Sequence, residues 1–147
     1  MVPTLFGRIQ TRIFLLATVG VLITLAIMPL VLAGSGLSLG ERYMVGFVIL
    51  ATVTVLGVVW EFIYHFLMQF RWEKDWPSLF GLITLLNEGV LVWILLSAEV
   101  VPFIEVEVGA IPFWIHFLVV WIGIWLFANG PMRVPFIRWR FRGGRLL

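Results

Sequence analysis

Four apolar stretches set the terms for this chain: Ile13 to Ala33, Val45 to Met68, Leu79 to Ala98 and Phe113 to Ala128. An α-helix needs about 20 apolar residues to cross roughly 30 Å of hydrocarbon. The first three stretches meet that length, and the fourth meets it with its flanks. Between them lie "GSGLSLGERY", "QFRWEKDWPS" and "EVVPFIEVEVGAIP", each carrying Gly, Pro or charge that ends a helix. Of the 147 residues, 62% are hydrophobic and 12% charged, against roughly 45–50% and about 25% in soluble domains. A soluble fold of this size cannot hide so much apolar surface. The expected fold is all-α, a four-helix transmembrane bundle forming one domain over residues 1–147.

The placement of positive charge predicts its direction. Arg8 and Arg12 precede the first span, Arg71 and Lys74 lie in the second loop, and Arg133, Arg138, Arg140, Arg142 and Arg145 fill the tail over 131–147. Nine of the ten basic residues therefore lie on one side, with only Arg42 opposite. The positive-inside bias makes that side cytoplasmic and predicts a multi-pass cell-membrane protein with both termini inside. The third loop, with Glu99, Glu105 and Glu107 and no basic residue, suits the outer face. Pro29, Val31 and Ala33 resemble a signal-peptidase site, but the apolar run before them exceeds the typical length of about 7–15 residues. The first span is expected to stay as an anchor.

Catalytic signatures are absent. The chain has no cysteine, which excludes disulfides, thiolate metal sites and cysteine nucleophiles. Gly-x-Gly-x-x-Gly, P-loop and His-Glu-x-x-His patterns do not occur. "GSGLSLG" reads as a turn, because no strand precedes it. No catalytic residue, cofactor or resident metal is expected, and the chain reads as a non-enzyme.

Within the second span, "VVWEFIYHF" places Glu61 and His65 one turn apart on one helical face. Thr54 and Gly57 extend that face, and the third span carries a matching stripe of Gly81, Thr84, Asn87 and Glu88. The short loop predicts an antiparallel hairpin, in which residues whose numbers sum to about 149 share a depth. Glu61 then lies level with Glu88, and His65 with Thr84. A charged residue at a helix centre costs about 2.5–3.5 kcal/mol to insert. Two such carboxylates repel and are expected to share a proton, with His65 as countercharge. The expected cluster is Glu61, His65, Thr84, Asn87 and Glu88. It can act as helix glue, as a proton or cation site, or as an O,N,O transition-metal site.

The remaining polar and aromatic residues read as membrane-surface devices. Arg71, Glu73, Lys74 and Asp75 can pair within the loop, Trp72 and Trp76 anchor it, and Asp75 or Ser78 can cap the third span. In the tail, Arg138, Arg140, Arg142 and Arg145 with Trp139 and Phe141 predict contact with anionic headgroups or a protein partner, not nucleic acid. Trp72, Trp76, Trp114 and Trp139 are expected in the aromatic belts. Trp121 and Trp125 are expected to pack or face lipid, and His116 to be an interfacial hydrogen-bonder.

"FRWEKDWPSLFGL", "NEG", "ANGPMR" and "RWRFRGGR" together resemble small four-span integral membrane proteins of actinobacteria. The resemblance runs from about Arg71 onward. It implies a bacterial plasma membrane and carries no activity, cofactor or catalytic residue. The function expected from all this is an accessory, assembly or interaction subunit, working as a homo-oligomer or within a larger membrane complex. The alternatives are a proton- or cation-coupled transporter or channel using Glu61, Glu88 and His65, and a membrane enzyme or metal site.

Overall fold

The computed structural model of the chain describes residues 3–73 and 77–147. Every regular element among them is helical: α1 Leu5–Leu15, a π-helical turn Leu16–Gly20, α2 Val21–Val31, α3 Leu39–Met68, α4 Ser78–Ile83, α5 Leu85–Ser97, α6 Ala110–Asn129, a 3-10 turn Pro131–Arg133 and α7 Ile137–Phe141. Four helical units are long and apolar enough to cross a membrane: Leu5–Val31, Leu39–Met68, Ser78–Ser97 and Ala110–Arg133. Their outer faces present large side chains such as Phe6, Leu22, Leu30, Val55, Phe66, Ile94 and Leu126, as hydrocarbon requires.

The first span starts earlier than its apolar run. Thr4 caps α1, its hydroxyl accepting from the Gly7 amide at 3.1 Å, so the segment expected to be an arm is helical and carries Arg8 and Arg12 into the bundle. The second span also starts early, at Leu39. Ser38 and Glu41 form a reciprocal capping box there, each satisfying an amide of the other's end of the turn.

Each break in a membrane-spanning helix frees a backbone group, and with no water at that depth another group must take it. Pro29 in α2 has no amide to donate to the Leu25 carbonyl, and the Tyr43 hydroxyl donates there instead at 3.3 Å. Arg42 donates to the carbonyls of Pro29 and Ala33 at the end of the first span, and to Leu37. Arg42 is thus a C-terminal helix cap for the first span. In the π turn, the Thr18 hydroxyl donates to Phe14 O at 2.6 Å. Where α4 and α5 part at Thr84, the Gly81 carbonyl accepts from both the Thr84 hydroxyl and Trp121 Nε1 at 3.1 Å. Ser78, expected as a cap, is the first residue of α4, and Pro77 at its N-cap makes no side-chain capping bond.

Two halves of the bundle pack differently. In one, α2 lies on both α3 and α6, and α5 also lies on both. The closed core here includes Phe113, Phe117, Val92, Val53 and Val120. Gly89 lets Phe117 and Trp114 approach, since a Cβ there would come within 2.7 and 2.8 Å of their rings. In the other half, α1 packs mainly on α3 and α4 mainly on α6, so the two pairs part and leave a space between them. The first and last segments of the chain meet at this end, where Thr4 N donates to Gly143 O at 2.8 Å.

Candidate functional site

The sequence pairs Glu61 with Glu88 by depth, and the structure puts an arginine between them. Arg12 Nε donates to Glu61 Oε1 at 2.7 Å, while its Nη1 and Nη2 donate to Glu88 Oε2 and Oε1 at 2.7 and 2.8 Å. Arg8 Nε takes the other oxygen of Glu61 at 2.6 Å. Both glutamates are buried, Glu61 6% exposed and Glu88 2%. Two cations face two anions, so the cluster is neutral as a whole. It ties the first span to the second and third. Charge-assisted and bidentate bonds of this kind are the strong ones, and burial makes any single missing partner costly.

The helical offsets explain the match. Arg8 and Arg12 are four residues apart, so they stack on one face of α1. Arg12 lies seven residues into α1 and Glu61 seven from the end of α3, each about 10 Å deep at 1.5 Å per residue. Gly57, one turn along from Glu61, provides the room: a Cβ there would lie 2.7 Å from Arg12 Cδ. Tyr64 completes the set, donating to Glu88 Oε1 at 3.0 Å and accepting from Asn87 Nδ2 at 2.7 Å.

Several expectations are corrected. His65 does not supply the countercharge; its Nδ1 is buried without a hydrogen-bond partner, and Arg8 and Arg12 take that role. Asn87 bonds Tyr64 and not a carboxylate, and Thr84 serves the Gly81 carbonyl. Guanidinium groups occupy the space between the carboxylates, where proton sharing was expected and an O,N,O metal set was one alternative. Among the described residues no group of three or more His, Cys, Asp or Glu comes together. His116 is a hydrogen-bonder inside the bundle. It is 2% exposed, and its Nε2 meets the fully buried Thr24 hydroxyl at 2.9 Å.

Beside the quartet lies a vestibule of about 520 Å³, lined by α1, α3, α4, α6 and the tail. Arg8, Arg12, Glu61 and Tyr64 form its ionic wall, and Trp121, Trp125, Ile124, Leu15 and Leu16 its apolar wall. Trp121 and Trp125 were expected to pack or face lipid. Their indole N–H groups instead clasp α4, at Gly81 O and Ser78 O, 3.1 and 2.8 Å away. Asn129 at the end of α6 and Arg133 beyond it line the vestibule, Arg133 Nη2 donating to Asn129 Oδ1 at 3.1 Å.

The tail folds back across α1. Trp139 Nε1 donates to Thr11 Oγ1 at 2.7 Å, and that hydroxyl donates on to Gly144 O at 2.9 Å. Gly143 and Gly144 have positive φ, 62° and 82°, and lie so close to Gly7 that a Cβ there would overlap the Gly143 carbonyl. Trp139 thus lines the vestibule and packs on α1 through Thr11. Arg138, Arg140, Phe141, Arg142 and Arg145 stay exposed. In the loop, Arg71 pairs with Glu73 at 3.7 Å and lies over the Phe80 ring, while Trp72 is fully exposed. Lys74, Asp75 and Trp76 lie outside the described residues.

Sequence reasoning missed Arg8, Arg12 and Tyr64. The signal for the arginines was their i, i+4 spacing, the same as that of the Glu61 stripe, beside an apolar run with two unpaired carboxylates facing it. Comparison with protein-family models, curated proteins and solved structures gives no match.

Proposed function

We propose that this chain is a non-catalytic four-span protein of a bacterial plasma membrane, with both ends cytoplasmic, that serves as an accessory, assembly or interaction subunit. The observation that carries this reading is the quartet of Arg8, Arg12, Glu61 and Glu88. Both intramembrane carboxylates are committed to holding three spans together, which supports a structural role for them. Basic residues crowd the end where the chain's first and last segments meet, which supports the cytoplasmic assignment. The exposed arginines of the tail suit anionic headgroups or a partner on that side.

A proton- or cation-coupled transporter is the second reading, because the vestibule reaches Glu61. Against it, a path onward would have to pass Val53, Val92, Phe113, Phe117 and Val120, none more than 5% exposed. Intact-complex mass spectrometry of the tagged chain from native membranes tests the choice. A stable complex with a different subunit is the expected result. A symmetric homo-oligomer that gives pH-dependent flux after reconstitution would overturn it in favour of transport.

A further inference from the structure

The vestibule has a composition that the quartet alone does not need. Its walls are mostly apolar and aromatic, while three arginines and one glutamate line it: Arg8, Arg12, Arg133 and Glu61. Glu88 lies behind Arg12, so among the described residues the site is net positive, with one cation, Arg133, in excess. Arg133 closes the 3-10 turn that follows α6, at the end of the fourth apolar helical unit, and is exposed.

Irregular backbone in a membrane span is tolerated where it is buried in protein or lines a cavity, and π turns recur at functional sites. Here the π turn contributes Leu16 and the α4–α5 break contributes Thr84, and both line the vestibule. The two departures from α-helix accompany the parting of the α1–α3 and α4–α6 pairs. At about 520 Å³ the space is in the range of small-molecule sites, which hold apolar bodies and fix them with a few polar groups.

We infer that the vestibule binds an anionic lipid from the surrounding leaflet, its acyl portion against Leu15, Leu16, Ile124 and Trp125 and its phosphate at Arg133. The charge excess selects an anion, the wall selects a hydrocarbon body, and the position of Arg133 sets the headgroup level. The inference needs the membrane setting alone. Its failure leaves the assembly role standing, and the reverse holds too.

Gly81 provides the test, since it lines the space and a Cβ there meets only Trp125 Cδ1, at 3.9 Å. A larger side chain there enters the vestibule from a Cβ that is free of close contact. The full chain is placed in nanodiscs of phosphatidylcholine and phosphatidylglycerol in equal amounts, and native mass spectrometry reads the lipid it retains. The wild type is expected to keep phosphatidylglycerol over phosphatidylcholine by about five-fold, the value of one arginine at an anionic surface. Gly81→Leu should lose the retained lipid, and Arg133→Gln should keep a lipid but lose the preference. Should Gly81→Leu fail to fold by circular dichroism, Ala128→Leu fills the same space. Undiminished phosphatidylglycerol in the folded filled variant, or an undiminished preference for it in Arg133→Gln, overturns the inference. So does displacement of the lipid by inorganic phosphate, which would assign the site to a free anion.

Discussion

Arg12 and Glu88 meet as two flat forks, Nη1 and Nη2 of the guanidinium on Oε2 and Oε1 of the carboxylate at 2.7 and 2.8 Å. Arg12 also holds Glu61 through Nε. Removing it strands one buried carboxylate and weakens the tie on the other. Arg12→Met should therefore lower stability by about 3–5 kcal/mol, the usual cost of breaking a buried pair from one side. Arg12→Met combined with Glu88→Met should be less harmful than Arg12→Met alone, because Arg8 and Glu61 still pair and the emptied space becomes apolar. Unfolding midpoints in a mild detergent measure both. Equal stability of Arg12→Met and the wild type would show that the quartet bears no load.

Gly57 makes the arginine's position possible. In Gly57→Ala the new methyl falls 2.5 Å from Arg12 Nη1 and 2.7 Å from Cδ, and the guanidinium cannot swing away without releasing carboxylates. A loss of about 1–3 kcal/mol is expected, as for overpacking in other tight cores. Gly40→Ala is the control: nothing lies within 4 Å of a Cβ there, and the exposed helical position should gain up to about 1 kcal/mol from helix propensity. The contrast between the two alanines, read from the same melting curves, isolates contact from propensity.

His65 should be dispensable. It sits one turn from Glu61 yet contributes none of the hydrogen bonds that hold that carboxylate, which come from Arg8 and Arg12. His65→Leu removes a buried, unpartnered Nδ1 and should change stability by no more than about 0.5 kcal/mol. A drop as large as that of Arg12→Met would return His65 to the cluster.

The contrast between His65 and Arg12 shows what the sequence could and could not convey. Hydropathy located the four spans, and the hairpin's short loop was enough to set Glu61 level with Glu88, because register along adjacent antiparallel helices follows from counting. Pairing between the first span and the others does not follow from counting. Arg8 and Arg12 lie outside the apolar run, so charge alone assigned them to the surface; only the Thr4 cap and the start of α1 at Leu5 carry them inward. The vestibule was equally hidden. It depends on the parting of α1–α3 from α4–α6, a tertiary arrangement that follows breaks at Leu16–Gly20 and Thr84. Trp139 was read from its neighbours as an interfacial anchor, whereas its partner, Thr11, is 128 residues away.

Thr24 and His116 form a second buried polar joint, at 2.9 Å, with Thr24 wholly enclosed. Thr24→Val keeps the shape and removes the hydroxyl, leaving His116 with neither ring nitrogen bonded, since Nδ1 already lacks a partner. The cost expected is about 1–3 kcal/mol, the desolvation penalty of a buried group left unmade. Thr24→Val with His116→Phe should recover part of it, as both polar groups then vanish together. If the single and double variants melt alike, the contact contributes nothing to the joint between the first and fourth spans.

The tail's docking on α1 rests on small residues as much as on hydrogen bonds. Gly144 adopts φ 82°, and Gly7 faces Gly143 and Gly144 with no space for a Cβ. Gly7→Ala should push the tail off α1 and break the chain of bonds from Trp139 through Thr11 to Gly144. Gly34→Ala, with nothing within 4 Å of its Cβ, should not. Limited trypsin digestion reads this directly, because Arg138, Arg140, Arg142 and Arg145 all lie in the strap. Opening that costs about 1.4 kcal/mol less raises the exposed population, and hence the cleavage rate, about tenfold when opening is fast relative to cutting. Cleavage of Gly7→Ala at the wild-type rate would mean that Trp139 and Thr11 hold the strap without the glycine contact. Faster cleavage in Gly7→Ala but not Gly34→Ala would instead tie the wall of the vestibule to the register of two glycine surfaces.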